Sequence, residues 1–259
     1  MQVGIAGIGL VAPGLPSWEG ARAVLSGQDA YEPAPLERFV PEVLPANERR
    51  RTTPPIKLAL QVAGEAVGRV ALAASDMPSV FASSDGDMVV VDRICSALAQ
   101  PERPVSPTDF HNSVHNAPAG YWSIAAGATE PSTSISARED TFGAGLVEAA
   151  TQVQAGGRPV LLVAYDHPAP GVLEALPPVQ IPFGVSLVLT PNAGQDRLRL
   201  SLGATEEPTR MGTEPLETLR RSSPAARSLP LLAGMAAGAA VDVRLRHPGP
   251  GRLAVEYRP

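Results

Sequence analysis

Residues 134–150 have the sequence SISAREDTFGAGLVEAA and give the clearest structural signal in the chain. The segment starts with an extended pattern, and the short side-chain oxygens of Asp140 and Thr141 are typical of residues that cap a helix N-terminus. Apolar side chains then recur at helical spacing, at Phe142, Leu146, Ala149 and Val153. Because most of the remaining surface is glycine and alanine, we predict a helix over 141–154 that other elements enclose.

The residues that follow predict the end of this helix and a buried strand. Gly156 and Gly157 indicate the helix end, and 159–165 is a continuous apolar run. Residues 134–165 together resemble the ketosynthase family of the thiolase fold. There, a Ser-Ile-Ser-like strand leads into a Thr-Ala-Cys turn, a buried helix, a glycine and a Val-Met-Val-Ala strand. The family's nucleophile is the cysteine at the start of that helix. Arg138-Glu139-Asp140-Thr141 stand in its place here, so the resemblance implies the family scaffold without its nucleophile.

A second motif, FHNSVHNAPAGYWSIAAG at 110–127, supports this resemblance. It is similar to a ketosynthase segment with Asn-x-x-Ala-Gly that forms a helix at the dimer interface. More specifically, it resembles the short chain length factors of aryl-polyene-type polyketide clusters. The resemblance implies candidate positions at a subunit interface or in an acyl tunnel, which are Phe110, His111, His115, Asn116, Trp122 and Phe142.

The spacing of His111 and His115, one helical turn apart, also fits a two-histidine metal site. Such a site requires a third ligand, and no glutamate follows His111 in the metalloprotease pattern. Asn112 and Asn116 neighbour both histidines, which favours a hydrogen-bonded polar network at an interface. We therefore predict neither a metal site nor a cofactor.

Composition narrows the classes of partner. The 259 residues carry a net charge of −5, with Lys57 as the only lysine, which gives no basis for a nucleic-acid partner. The only cysteine, Cys95, excludes a disulfide within the chain, and its apolar surroundings predict a buried structural thiol. The N-terminal apolar run lacks a basic flank and is broken by glycines, and no run reaches transmembrane length. We expect a cytoplasmic protein without a membrane partner.

Three further motifs resemble a dinucleotide site, a phosphate site and a catalytic dyad, but structural roles explain each of them better. Gly7 and Gly9 open no complete G-x-G-x-x-G, so a dinucleotide site is not predicted. The arginines at 49–51 could bind phosphate, but a solvated helix start paired with Glu48 and Glu65 is favoured. Asp166 and His167 lack any serine nucleophile elbow, so His167 is predicted to be a loop residue.

The other elements are assigned by periodicity. Strands are predicted at 3–8, 79–83, 183–190, 197–202, 241–246 and 253–257, and helices at 18–26, 56–72, 88–98 and 229–237. Residues 177–178 predict a turn, and 205–224 a loose polar connection.

The predicted fold is a single α/β domain over 1–259, with helices packed on one mixed sheet. Residues 1–203 correspond to the thiolase-like N-terminal half, and 204–259 form a divergent extension in place of a missing or reduced C-terminal half. Without that half, we expect an exposed apolar layer over the helix at 141–154, which implies an obligate partner.

The resemblance implies a catalytically silent chain length factor. It would pair with a complete ketosynthase, shape the acyl tunnel, and meet an acyl carrier protein only indirectly. One alternative is an active acyl-thioester enzyme, either with Thr141 as nucleophile or with Asp140 and His115 as acid and base. A free-standing acyl- or carrier-binding module is a third possibility.

Overall fold

The computed structural model describes residues 1–173, 179–191, 194 and 196–259, which form one eight-stranded sheet with helices on both faces. The strands are β1 (Gln2–Val11), β2 (Ser79–Ala82), β3 (Ser132–Ile135), β4 (Val160–Asp166), β5 (Phe183–Thr190), β6 (Arg197–Ala204), β7 (Val241–Leu245) and β8 (Arg252–Arg258). The α-helices are α1 (Trp18–Leu25), α2 (Ala46–Arg51), α3 (Pro54–Val67), α4 (Met88–Leu98), α5 (Pro107–Asn112), α6 (Ala117–Ala126), α7 (Thr141–Gly156), α8 (Glu214–Arg221) and α9 (Leu229–Ala237).

The strand order is β3-β2-β4-β5-β1-β6-β8-β7, and the sheet is mixed as predicted. β2 pairs in parallel with both β3 and β4, whereas the pairs from β4 through β5, β1, β6 and β8 to β7 are antiparallel. Parallel strands have their carboxyl ends on the same side of a sheet, so the residues after β2, β3 and β4 converge there. The candidate site lies at these strand ends.

Two hydrophobic layers cover the sheet. One contains α7 with α1, α8 and α9, and the other contains α3 and α6. The glycines of β1 are explained by the second layer, because a Cβ atom at Gly7 or Gly9 would lie 2.3 Å from a backbone oxygen of α3. Their role is close packing of helix on strand.

The C-terminal segment, 204–259, continues the same sheet. β8 pairs with β6 and β7 pairs with β8, while α9 packs against α1 and against β7. Side chains of this segment join the apolar cluster that contains Phe142 and Leu146 of α7. The predicted exposure of the α7 layer is therefore wrong, because the chain covers this helix with its own C-terminal residues. Phe142 is only 1% exposed.

Several local predictions need correction. The loose connection predicted at 205–224 contains α8, whose Glu217 and Arg220 form an almost buried ion pair of 2.6 Å. α3 begins two residues earlier than predicted and ends at Val67, five residues earlier. The turn predicted at 177–178 lies outside the described residues. No helix in the described part of the chain is long and apolar enough to cross a membrane.

Cys95 is exposed, contrary to the prediction of a buried thiol. It lies on α4, where Val90 is the only buried residue. The neighbours of Cys95 are apolar as predicted, but α4 lies at the periphery, and apart from Val90 its apolar side chains remain partly or fully accessible in this chain.

Candidate functional site

The turn that precedes α7 occupies the position where the family's nucleophile is expected. It contains a short 3₁₀ helix over Arg138–Asp140, and Arg138 has a φ of +51°, in the left-handed region that few non-glycine residues adopt. The Thr141 hydroxyl donates to the Arg138 carbonyl oxygen at 2.6 Å and accepts from the Ala137 N–H at 3.0 Å. Thr141 is 1% exposed. Its hydroxyl is thus committed to holding the turn, and no base contacts it among the described residues.

Asp140 is held by an ion pair. Its carboxylate lies 2.7 Å from Nε of Arg246, at the end of β7. Asp140 does occupy the N-cap position of α7, but its side chain makes no capping hydrogen bond. The prediction of side-chain capping by Asp140 is wrong, because the carboxylate is attracted to the arginine instead. Nor does Asp140 pair with His115 as the enzyme alternative requires.

A second ion pair reinforces this closure. The Glu139 carboxylate lies 2.6 Å from the Arg227 guanidinium, whose side chain is 13% exposed. A Cβ atom at Gly143 would lie 2.1 Å from the Arg246 carbonyl oxygen, so β7 ends directly against the first turn of α7. The C-terminal segment therefore covers the start of α7 with backbone and with two ion pairs.

Asp166, at the end of β4, is the most connected polar residue at these strand ends. Its carboxylate is 1% exposed and accepts four hydrogen bonds. The donors are the Ser84 N–H at 2.9 Å, the Ser84 hydroxyl at 2.9 Å, the Ser223 hydroxyl at 3.0 Å and the Ala225 N–H at 2.8 Å. Burial raises the pKa of Asp166 to about 6, and these donors oppose a further rise.

The role of Asp166 was missed from the sequence, although an acidic residue that ends a fully apolar strand is an available signal. It joins the turn after β2, the end of β4 and the C-terminal segment. His167 is a loop residue, as predicted: its Nδ1 lies 3.0 Å from the Pro168 carbonyl oxygen and it makes no hydrogen bond to Asp166. Burial lowers the pKa of His167. The pair is not arranged as a catalytic dyad.

The two histidines of the second motif do not share a helix. α5 ends at Asn112 and α6 begins at Ala117, so His111 and His115 lie on either side of a helix end. His115 Nε2 is 3.2 Å from the Ser83 carbonyl oxygen, whereas His111 is exposed. Within the described ranges, no group of three or more His, Cys, Asp or Glu residues could hold a metal ion.

The predicted polar network exists with different members. Asn112 is buried, donates to the Arg51 carbonyl oxygen at 2.8 Å and accepts from the Tyr121 hydroxyl at 3.1 Å. This network ties α5 to α2 and α6. Neither His111 nor His115 belongs to it, and Asn116 is exposed.

The arginine cluster is partly explained by the predicted pairing. Arg51 lies 3.3 Å from Glu48, as expected. Glu65 instead accepts the backbone N–H groups of Leu10 and Trp18 and pairs with Arg69. The predicted pairing with Glu65 is wrong because the arginines end α2, whereas Glu65 lies in the C-terminal half of α3 and contacts other residues.

The candidate interface residues fall into two groups. Phe110 is 71% exposed, and Val114 and Ile124 are 53% and 49% exposed. We call these three residues the α5–α6 patch. His111 and Asn116 line a cleft of about 360 Å³ together with Val114 and Ile124. Trp122 and Phe142, by contrast, are buried in the two separate apolar layers, on opposite faces of the sheet.

Comparison with known families identifies the scaffold. The model of the beta-ketoacyl synthase N-terminal domain matches residues 22–244. The chain belongs to this family. The predicted family membership and the thiolase-like α/β fold are thereby confirmed. A comparison with curated protein sequences found no match.

Solved structures agree with this ketosynthase-like fold. A chain from the complex of a ketosynthase (ApeO) with its chain length factor (ApeC) from Xenorhabdus doucetiae matches with TM-score 0.76 and 26% identity, over 100% of both chains. The ishigamide ketosynthase/chain length factor matches with TM-score 0.66 and 15% identity, over 99% of this chain and 98% of that one. The ketosynthase from module 1 of the bacillaene synthase of Bacillus amyloliquefaciens matches with TM-score 0.58 and 14% identity, over 82% of this chain and 47% of that one. The last two likenesses are in fold alone.

Proposed function

We propose that this chain is a non-catalytic chain length factor that pairs with a complete ketosynthase. The observation that carries the proposal is the closed start of α7. Where the family has a cysteine nucleophile, this chain has a buried threonine bonded to its own turn and an aspartate paired with Arg246. Such a site offers no nucleophile to an acyl thioester, so the chemistry must reside in another subunit.

The lengths of the matched structures support a partner subunit over a ketosynthase. This chain spans all of its counterpart in the ApeO–ApeC complex but 47% of the bacillaene ketosynthase. It therefore corresponds in size to a short chain found in a complex that contains a ketosynthase. The resemblance of 110–127 to aryl-polyene-type factors adds the proposed pathway class. The acyl carrier protein would deliver its chain to the ketosynthase and meet this subunit indirectly.

The proposed interface includes the α5–α6 patch. A cluster of large exposed apolar side chains is typical of a surface that another protein covers. His111 and Asn116 extend this surface, and the partner's acyl chain would end against it. Bulk at that end would limit the number of extension cycles by steric cost. Trp122 would act from beneath this surface by fixing α6, whereas Phe142 packs α7 on the opposite face of the sheet.

Coexpression with a complete ketosynthase from the same organism tests the proposal. We expect the two to copurify, and intact-mass spectrometry during synthesis should find acyl groups only on the ketosynthase. Thr141→Val removes the hydroxyl with little change of shape, and condensation should continue at a comparable rate. Loss of turnover in an assembled Thr141→Val complex, or an acyl adduct on this chain, would support the active-enzyme alternative.

The interface has a matched pair of variants. Phe110→Asp places a charge in the α5–α6 patch and should prevent copurification, because an unpaired charge cannot be buried cheaply in an interface. Leu202→Asp is the control. Leu202 is a large apolar residue that is likewise exposed, at 57%, but it lies on β6, five strands from β3. Equal capture of the ketosynthase by both variants would place the interface elsewhere.

A further inference from the structure

A cleft beside the start of α3 is lined by two cations, Lys57 and Arg38, whose side chains have no partner among the described residues. Its volume is about 220 Å³. The polar and charged side chains that line it are Arg38, Lys57, His167, Gln61 and Glu37, and the apolar ones are Leu36, Phe39, Pro54 and Leu58. Neither the family resemblance nor the closed start of α7 accounts for this cleft, because it lies between α3, the proline-rich segment 29–45 and the loop after β4.

The side chains of the two cations are unpaired within the described residues. The Lys57 ammonium, which belongs to the only lysine, makes no hydrogen bond or ion pair with any described residue, and the same is true of the Arg38 guanidinium. Other arginines of the chain do form ion pairs, as Arg158 does with Glu130 at 2.6 Å, whereas the charges of Lys57 and Arg38 remain available to an external anion. Among the described residues Glu37 is the only carboxylate on the lining, so Lys57, Arg38 and Glu37 together give the cleft a net positive charge. Unpaired cations around a concave surface are the chemistry that recognises an anion.

His167 adds a defined hydrogen-bonding group. Its Nδ1 lies 3.0 Å from the Pro168 carbonyl oxygen, so Nδ1 carries the proton and donates. Nε2 of the neutral ring is therefore an acceptor, and on protonation it becomes a second donor. Asp87 is the acidic group close enough to favour protonation, although burial has the larger effect and lowers the pKa of His167.

A second cleft adjoins the first and is suited to an apolar chain. Its volume is about 310 Å³, and the two share Leu36, Glu37 and Gln61 on their linings. The far part of the second cleft is formed mainly by Val11, Ala12, Pro16, Pro33 and Pro35, with Glu32 at its rim. A molecule with a charged head at Lys57 and Arg38 could thus place several carbons against apolar side chains.

We infer that this pair of clefts binds a small amphiphilic anion, with a carboxylate or phosphate head at Lys57 and Arg38 and a short apolar chain toward Val11 and Pro16. The shared chemistry is an anionic head with an apolar tail. This site is separate from the α5–α6 patch, so it stands or falls independently of the proposed pairing with a ketosynthase.

Titration of the full chain by calorimetry or ligand-observed NMR tests the inference, with hexanoate, hexyl phosphate and hexanol as probes. We expect at least one of the two anions to bind about tenfold or more tightly than hexanol, because a charge-assisted hydrogen bond supplies that difference. The tighter of the two anions identifies the head group. Equal binding of all three probes, or no binding of either anion, would overturn the inference.

Three substitutions on the lining of the cleft are expected to change the affinity for the anion in opposite directions. Lys57→Gln and Arg38→Gln should each weaken anion binding about tenfold, whereas Glu37→Gln should strengthen it about two- to fivefold by removing a like charge. Arg22→Gln is the matched control, since its side chain is 52% exposed and lies outside both linings. If Arg22→Gln weakened anion binding as much as Lys57→Gln does, the affinity would depend only on the total charge of the chain, and a specific site in the cleft would be refuted.

The single lysine permits a second readout that does not depend on the variants. An amine-reactive acetylating reagent can modify Lys57 and the amino group of Met1, and peptide mass spectrometry quantifies each separately. The anion that binds should lower the labelling of Lys57 severalfold while the labelling of Met1 stays constant. Equal protection of both amines would contradict binding at Lys57.

Discussion

Asp166→Asn tests whether one buried carboxylate fastens the C-terminal segment to the rest of the fold. In the native chain one carboxylate oxygen accepts both donors of Ser84 and the other accepts from Ser223 and Ala225. An asparagine can keep one of these pairs, but its amide NH₂ then faces a backbone N–H that cannot accept. One buried N–H is left without a partner, at a cost of about 1–3 kcal/mol of unfolding free energy at pH 7.

The same substitution has a pH dependence whose sign is fixed. Burial raises the pKa of Asp166 to about 6 in the folded chain, from the ordinary value of 3.8 that applies when unfolded. Between these values the folded state binds more protons than the unfolded state. The contribution of this group to stability is therefore fully present below the unfolded pKa and is lost as pH rises through about 6. From pH 7 to pH 5, native stability should gain about 1 kcal/mol from Asp166.

Asparagine does not titrate. The unfolding free energy that Asp166→Asn loses relative to the native chain should therefore be about 1 kcal/mol larger at pH 5 than at pH 7. Urea unfolding of both proteins at the two pH values measures this difference, since other titrating groups are shared and cancel. Asp29→Asn is the control, because Asp29 is exposed and its carboxylate has no hydrogen bond to any described residue. A deficit that is the same at both pH values, or smaller at pH 5, would refute the assigned balance of burial and hydrogen bonding.

Two further outcomes test the packing of α7 and the periphery of the fold. Gly143→Ala should lower the unfolding free energy by about 2 kcal/mol or more, since its Cβ would lie 2.1 Å from the Arg246 carbonyl oxygen. Gly120→Ala is the control: its Cβ would have no neighbour within 4 Å, so it should stabilise the chain by about 0.5–1 kcal/mol. Thermal or urea unfolding measures both changes. Cys95 should react with one equivalent of a thiol reagent under native conditions because it is exposed, and a reaction seen only after denaturation would contradict this placement.

Local pattern was sufficient for most of the elements. Apolar runs and helical spacing predicted every strand of the sheet to within a few residues, and α9 was predicted at the bounds that the structure shows, Leu229–Ala237. These elements are specified by side chains that are close in sequence, and burial on one face leaves a periodic signal. The signal was lost for α8, where charged residues dominate the composition and only Leu216 and Leu219 mark the buried face.

Contacts between distant residues could not be predicted in this way. The partner of Asp140 is Arg246, 106 residues further along the chain, and Asp166 is separated from Ser84 by 82. From its neighbours in sequence, an aspartate before a helix is expected to cap that helix. Here its carboxylate forms an ion pair with Arg246 instead, which only the fold brings close. Cys95 shows the reverse case, since its apolar neighbours on α4 have little to pack against in this chain.

The position of the remaining exposed apolar surface constrains where a partner can bind. The sequence predicts that surface over α7, but the C-terminal segment covers α7 and pairs the turn before it with Arg246 and Arg227. Four of the large exposed apolar side chains lie on α4, α5 and α6 or on the link between the last two, namely Leu98, Phe110, Val114 and Ile124. The proposed ketosynthase partner would therefore dock beside β3, at the sheet edge opposite to β7, and not across α7. In this proposed arrangement the C-terminal segment would cover the position of the family's nucleophile, while the motif at 110–127 would supply the surface that contacts the partner.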